Sequence, residues 1–270
     1  MKFTKMQGIG NDYVYINCFE ETVPDPVELS KLVSDRHFGI GSDGLILICP
    51  SKVADCRMRM FNADGSESAM CGNGIRCVGK YVFDHKLVDK AEFDVETDAG
   101  IKHIKITEEN NKAVKITVDM GIPEVTSTLP EAIVIDGKDY EFIGISVGNP
   151  HAVYFMDHID ELDLESIGPA FEFHERFPER TNSEYIEVKS RDYIRMRVWE
   201  RGSGETWACG TGATASAVAS VLSGRTENTV EVELKGGNLT IFWDREKSGH
   251  VFMTGPAVEV FEGEFDITNL

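Results

Sequence analysis

The chain has 270 residues, 41% hydrophobic side chains and a formal net charge of −19, enough apolar content for ordinary cores and too acidic to suit nucleic acid or an anionic membrane as a partner. Its six cysteines are too sparse for a disulfide scaffold and match neither a Cys-x-x-Cys pair nor a common zinc spacing, so no metal is expected. The opening Met1-Lys2-Phe3-Thr4-Lys5-Met6-Gln7 has no apolar signal core and no stretch is long enough to cross a membrane, so a reducing cytoplasm is the expected location.

In chain order, residues 1–20 alternate around Val14, Tyr15 and Ile16 and read as strand, with a turn at Gly8-Ile9-Gly10-Asn11. Residues 26–36 suggest a short helix. The turn at 37–44 leads into a buried strand, Leu45-Ile46-Leu47-Ile48. This glycine-rich turn lacks the Gly-Lys-Ser/Thr of a phosphate loop and the strand–turn–helix setting of a dinucleotide site. Residues 55–62 are strand-like, and Asn62-Ala63-Asp64-Gly65-Ser66 is a turn before a helix that follows Cys71. Strands are expected near 91–97, 101–107 and 113–119, and Gly121-Ile122-Pro123 marks the crossing into a second half. That half repeats the order, with a helix after Cys209 and strands near 229–234, 238–243, 250–253 and 257–261.

The repeat is visible residue by residue. Met70-Cys71-Gly72-Asn73-Gly74 and Ala208-Cys209-Gly210-Thr211-Gly212 stand 138 residues apart, and the same offset pairs Gly10-Asn11 with Gly148-Asn149, Arg57-Met58-Arg59 with Arg195-Met196-Arg197, Asn62 with Glu200 and Glu67 with Glu205. Such a collinear series indicates a two-copy duplication rather than a solenoid. The expected fold is α+β: two pseudo-symmetric halves, each a curved, mostly antiparallel sheet wrapped around a central helix. Their expected bounds are 1–118, to which the tail 257–270 returns, and 119–256.

A thiol at a helix N-terminus meets backbone N–H groups that the helix itself leaves without acceptors, which favours thiolate and offers a cradle for a carboxylate. Two such thiols suit inversion at a carbon that bears a weakly acidic hydrogen. One removes a proton from one face, its counterpart returns one to the other, and fixed dipoles hold the developing carbanion. No lysine signature for pyridoxal phosphate and no metal cluster is apparent, so no cofactor is expected. Cys18, Cys49, Cys56 and Cys77 have no equivalents in the other half and read as core residues. Two readings from other classes are a thiol redox protein and a non-catalytic amino-acid binder.

Taken together, Gly8-Ile9-Gly10-Asn11-Asp12, Asn62-Ala63-Asp64-Gly65-Ser66-Glu67, the two Cys-Gly-x-Gly stretches, Gly148-Asn149-Pro150-His151, Arg180-Thr181-Asn182 and Glu200-Arg201-Gly202 resemble the diaminopimelate epimerases over almost the whole chain. Related proline racemases usually carry a histidine after the first Cys-Gly, where this chain has Asn73, so racemisation of another amino acid is the alternative reading. The resemblance implies cofactor-independent conversion of LL- to meso-diaminopimelate, in lysine and peptidoglycan precursor synthesis, by a homodimer. It implies Cys71 and Cys209 as the acid/base pair, and His151 and Glu200 as groups that tune the thiols. The N–H groups of Gly72, Asn73, Gly210 and Thr211 would hold the reacting carboxylate. Asn11, Asn62, Asn149 and Asn182 would bind other polar groups of the substrate, and Arg201 its distal carboxylate. Two departures are Gly44, where some members have glutamine, and Trp207, where leucine is common.

Overall fold

The structure, a computed structural model, describes residues 1–266 and divides into two compact units, 1–118 with the chain from 255 onward and 119–254. Residues 267–270 of the expected returning tail lie outside the described residues.

In the first unit the chain forms β1 (Lys2–Gly8), β2 (Asn11–Asn17), α1 (Pro26–Ser34), β3 (Gly44–Cys49), β4 (Cys56–Asn62), β5 (Glu67–Ser68), α2 (Gly72–Asp84), β6 (Glu92–Thr97), β7 (Gly100–Glu109) and β8 (Lys112–Gly121), the last running just past the boundary. The strand region expected over 1–20 forms two strands on either side of the expected turn, where Ile9 and Gly10 at φ 49° and 89° reverse the chain into a hairpin. The chain's last strand, Val258–Glu264, pairs antiparallel with β1. The β2–β3 and β4–β6 pairings are parallel, and the remaining neighbours are antiparallel.

Both faces of β2–β4 are covered. Val14, Ile16, Leu45, Leu47 and Phe61 meet Leu29 and Val33 of α1. On α2, Ile75, Val78 and Val82 are fully buried, and the helix packs on β1, β2, β7 and the last strand. Strands buried on two sides read as unbroken apolar runs, which is why Leu45-Ile46-Leu47-Ile48 was legible. Asp25 caps α1, its side chain accepting the Glu28 N–H, and Pro26 takes the first helical position, where its missing donor costs nothing.

The second unit repeats this plan with β9 (Glu124–Val125), β10 (Glu131–Ile135), β11 (Lys138–Ser146), β12 (Pro150–Phe155), the short 3-10 turn Ile159–Glu161, α3 (Leu164–Glu172), β13 (Asn182–Ser190), β14 (Tyr193–Glu200), β15 (Gly204–Glu205), α4 (Gly210–Leu222), β16 (Thr229–Leu234), β17 (Gly237–Trp243) and β18 (Val251–Gly255). Its β12–β13 and β14–β16 pairings are again the parallel ones. Both α1 and α3, and both α2 and α4, begin and end 138 residues apart. Each half therefore has two helices, the prominent one after its cysteine and a short one, which in the first half is the helix expected over 26–36. Tyr154, Phe171, Tyr185 and Trp199 build the core under α3.

Apart from Gly210, Gly212 and Leu222, the central helix α4 is made of Ala, Ser, Thr and Val, and it is buried along nearly its whole length. Its polar side chains are satisfied locally: Thr214 Oγ1 donates to Gly210 O at 2.9 Å, Ser220 Oγ to Ser216 O at 2.8 Å, and Ser216 Oγ lies 3.2 Å from Met196 Sδ. Small side chains let the surrounding strands approach closely, and these bonds remove the cost of burying hydroxyls. Of the four cysteines read as core residues, Cys56 and Cys77 are buried, whereas Cys18 and Cys49 are half-buried. The latter two sit at the ends of β2 and β3 and pack against the cluster that Leu29 and Val33 of α1 help to form.

Candidate active site: two cysteine-capped helices

Each unit carries one thiol in the same local geometry. Cys71 is the N-cap of α2, in extended conformation, and its sulfur accepts the Gly74 N–H at 3.3 Å. Cys209 caps α4 likewise and accepts the Gly212 N–H at 3.4 Å. The helix dipole stabilises a charge on either sulfur, by up to about 2 kcal/mol in a partly buried setting. The first amides of the two helices are those of Gly72 and Asn73, and of Gly210 and Thr211; a helix supplies no acceptor of its own to such groups.

In the first unit Cys71 Sγ lies 3.4 Å from Asn11 Oδ1. Asn11 is fixed by Asp43, whose Oδ2 accepts from Asn11 Nδ2 at 2.7 Å and from the Asp12 N–H at 3.0 Å, while Arg36 holds the other carboxylate oxygen at 3.0 Å. Asn62 faces Gly44 across β3 and β4, and its Nδ2 donates to Ser66 Oγ at 2.9 Å. A Cβ at Gly44 would strike the Phe61 carbonyl, so this strand crossing admits no side chain there. Asn73 is buried, and its Oδ1 accepts from Arg76 Nη2 at 2.9 Å.

Arg76 is the residue the sequence reading missed in this half. Fully buried, it also donates from Nη1 to Gly72 O at 3.0 Å and from Nε to Pro256 O at 3.2 Å. Burial pulls its guanidinium down from the usual arginine range, opposed by the neighbouring Cys77, Cys71 and Tyr15, but arginine is basic enough to keep its charge at neutral pH. A buried cation close to Cys71 favours its thiolate.

The second unit has the opposite electrostatics. Residue 214, the counterpart of Arg76, is threonine, and it reaches the same carbonyl position, Gly210 O, with no charge. Burial, then the Glu200 carboxylate, push the Cys209 thiol well above the ordinary range, against the Thr211 hydroxyl and the Gly212 amide. Glu200 is oriented by the Thr206 hydroxyl. Asn149 follows Gly148, whose φ of 104° matches the positive φ of Gly10 in the first half; its Nδ2 lies 3.4 Å from Thr211 Oγ1. His151 is buried between Asn149 Oδ1 at 3.0 Å and Glu184 Oε1 at 2.7 Å.

Asn182 is engaged at both ends, with Nδ2 donating to Pro150 O at 2.8 Å and Oδ1 accepting the Arg201 N–H at 3.0 Å. Arg201 is exposed and touches Glu179 O at 3.3 Å through Nη1. The turn that presents it is held by buried Glu172, which accepts from the Gly202 N–H at 2.9 Å and from Trp199 Nε1 at 2.8 Å. The duplication persists in salt links: Arg59 Nε to Glu67 and Arg197 Nε to Glu205 are both 2.8 Å. Trp207 projects into solvent. Among the described residues, no cluster of three or more His, Cys, Asp or Glu is arranged to hold a metal ion, and no helix is long and apolar enough to cross a membrane.

This duplicated α+β architecture is shared with a phenazine biosynthesis protein of the PhzF family from Bacillus anthracis (TM-score 0.77, 17% identity, 99% of each chain) and a probable proline racemase from Agrobacterium radiobacter (TM-score 0.75, 14% identity, 98% of this chain and 93% of the other). At such identities the likeness defines the fold alone. The family model for diaminopimelate epimerase matches residues 3–126 and 143–260. Diaminopimelate epimerases from Desulfovibrio desulfuricans and Agathobacter rectalis are 57% and 54% identical to it, over 99% of this chain and 99% and 100% of theirs. The chain belongs to the diaminopimelate epimerase family.

Proposed function

We propose that this chain interconverts LL- and meso-diaminopimelate through two thiols and no cofactor. The observation that carries the reading is the pair of equivalent helices, each capped by a cysteine sulfur that accepts an amide hydrogen of its first turn. One thiolate removes the α-hydrogen as a proton, and the electron pair left on carbon spreads into the adjacent carboxylate. The other thiol gives its proton to the opposite face, so the centre inverts and the two sulfurs exchange protonation states. The return reaction uses the same groups in reverse.

In this reading the amides of Gly72, Asn73, Gly210 and Thr211 hold the α-carboxylate, where charge grows in the transition state. Asn11, Asn62, Asn149 and Asn182 bind the remaining polar groups near the reacting centre, and Arg201 grips the distal carboxylate in a bidentate fork. The buried Arg76 supports Cys71 as the resting thiolate, and burial with Glu200 supports Cys209 as the resting thiol; His151 acts on the second of these. The enzyme works as a homodimer in a reducing cytoplasm, in lysine and peptidoglycan precursor synthesis. Incubation of LL-diaminopimelate in deuterium oxide is the test. Meso product with one solvent deuterium at the inverted carbon is expected; unchanged stereochemistry with no deuterium uptake overturns the proposal.

A further inference from the structure

The Cys209 half-site continues inward as a line of side chains. Cys209 Sγ lies 3.5 Å from Thr211 Oγ1, Thr211 Oγ1 is 3.4 Å from Asn149 Nδ2, Asn149 Oδ1 is 3.0 Å from His151 Nε2, and His151 Nδ1 is 2.7 Å from Glu184 Oε1. The side chains of His151 and Glu184 are wholly inaccessible. Glu184 Oε2 is buried and finds no hydrogen-bond partner among the described residues. A carboxyl group in such a place needs a reason, because leaving a polar atom unpaired costs on the order of 1–3 kcal/mol.

The bond polarity along the line supplies one. Asn149 donates from Nδ2 to Thr211, so its carbonyl oxygen faces His151, and Nε2 must carry hydrogen to meet it. With Nε2 protonated, the contact between Nδ1 and Glu184 Oε1 needs a second proton, carried either by the ring or by the carboxyl. The pair thus holds two protons and is neutral as a unit. Thr211 Oγ1 accepts from Asn149, which leaves its own hydrogen to point at the sulfur. Burial raises the Glu184 carboxyl, with His151 opposing and Glu200 reinforcing the rise, which suits a site that retains its proton.

We propose that Glu184 is a positioning residue for the epimerisation: it keeps the second proton of the His151–Glu184 pair, and through His151 and Asn149 it turns the Thr211 hydroxyl onto the Cys209 sulfur. This rests on the reading of Cys209 as one of the two bases. The charged or titratable groups that face the pair are Glu200 on β14, Cys209 at the head of α4, and the buried Tyr154 and Tyr185 on β12 and β13.

The test compares Glu184→Gln, whose amide can donate to Nδ1 as a carboxylic acid does, with Glu184→Leu, which cannot. Expected for Glu184→Leu is a fall in kcat of about 10- to 100-fold, the scale of a misplaced catalytic group, with KM changed less than about 3-fold and slower iodoacetamide capture of Cys209 by peptide mapping. Glu184→Gln keeps at least about ten times more kcat than Glu184→Leu. Equal damage in both, or none in either, overturns the proposal. Histidine nitrogen NMR of the unaltered protein is independent of how the variants fold: His151 Nε2 should carry hydrogen toward Asn149 Oδ1 at neutral pH, and an Nε2 without hydrogen there overturns it. Should the unaltered protein fail to invert LL-diaminopimelate, the functional reading falls while the alkylation and NMR results still decide the role of Glu184.

Discussion

Gly74 and Gly212 occupy the same position in the two halves, yet alanine should act very differently at each. A Cβ at Gly212 would stand 2.8 Å from Glu184 Oε1 and 3.2 Å from Cys209 Sγ. The carboxyl cannot swing away, since it is fully buried and bonded to His151 at 2.7 Å. Overpacking of this kind costs about 1–3 kcal/mol, offset by up to about 1 kcal/mol from the better helix propensity of alanine. The net loss of about 0–2 kcal/mol lowers the melting temperature by only a few degrees. Displacing Glu184 should nevertheless lower kcat by about 100-fold, because errors of about 1 Å in a catalytic array have that effect. At Gly74 the same Cβ meets Ile46 Cδ1 at 2.6 Å and Met58 Cε at 3.2 Å. These are methyl ends of flexible apolar side chains that can yield, so Gly74→Ala should lose no more than about 10-fold, with a similar melting temperature. Turnover by deuterium incorporation at the α-carbon, alongside thermal melts, measures both. A Gly74→Ala loss equal to or greater than that of Gly212→Ala would refute the claim that a rigid polar wall backs only the Cys209 helix.

Cys71→Ala and Cys209→Ala should each lose at least about 100-fold in epimerisation while still folding, at a cost of about 1 kcal/mol for the lost helix cap; near-full activity in either folded variant would exclude the two-base mechanism. Iodoacetamide should capture Cys71 at lower pH than Cys209, because Arg76 favours one thiolate while burial and Glu200 oppose the other. In Glu200→Gln, removal of a negative charge makes the Cys209 thiol more acidic, so its capture should quicken at fixed pH, and slower capture would contradict the assigned sign. Arg201→Met should erode the preference for diaminopimelate over amino acids that lack a distal carboxylate, read as the ratio of kcat/KM values. Comparable turnover of alanine or proline by the unaltered enzyme would count against the proposed substrate. Glu172→Ala removes the acceptor for Gly202 N–H and Trp199 Nε1 and should cost about 2–4 kcal/mol in a melt, with no measurable change expected only if that turn is held elsewhere.

Periodicity and the internal repeat made the central helices legible, because a duplicated Cys-Gly-x-Gly start is local chemistry with a local geometric result. The turn at Gly8-Ile9-Gly10-Asn11 was legible from its glycines, but not that it joins two paired strands, because alternation alone does not show which runs pair. The shorter helices α1 and α3 share the offset of 138, but in the second copy Pro169 sits inside the helix, which masks the pattern. The polar groups behind the thiols were not legible by type. Arg76 lies between Ile75 and Cys77 on a buried helix, and Glu184 lies in a strand whose first five residues are all buried. A charge inside an apolar run is the available signal, but its partners come from distant segments: Pro256 for Arg76, His151 for Glu184. Asp43 and Glu172 act likewise, through turns that only the tertiary fold closes.

The exchange of Arg76 for Thr214 between otherwise matched helices bears on how many molecules are ready to react. Epimerisation by two thiols needs one of them protonated and the other not. If both had the same affinity for protons and bound them independently, the singly protonated form could never exceed about half of the population at any pH. A separation of two pKa units raises it to about four-fifths midway between them, and fixes which sulfur holds the proton. In the proposed mechanism, the buried guanidinium near Cys71 and the burial of Cys209 beside Glu200 would separate the affinities in this direction. A symmetric assembly of two identical half-length chains could not do this. On the proposed two-thiol mechanism, fusing the copies into one chain would let differences such as Arg76 against Thr214 and Asn62 against Glu200 lift the reactive fraction above that statistical ceiling while the backbone template stays the same.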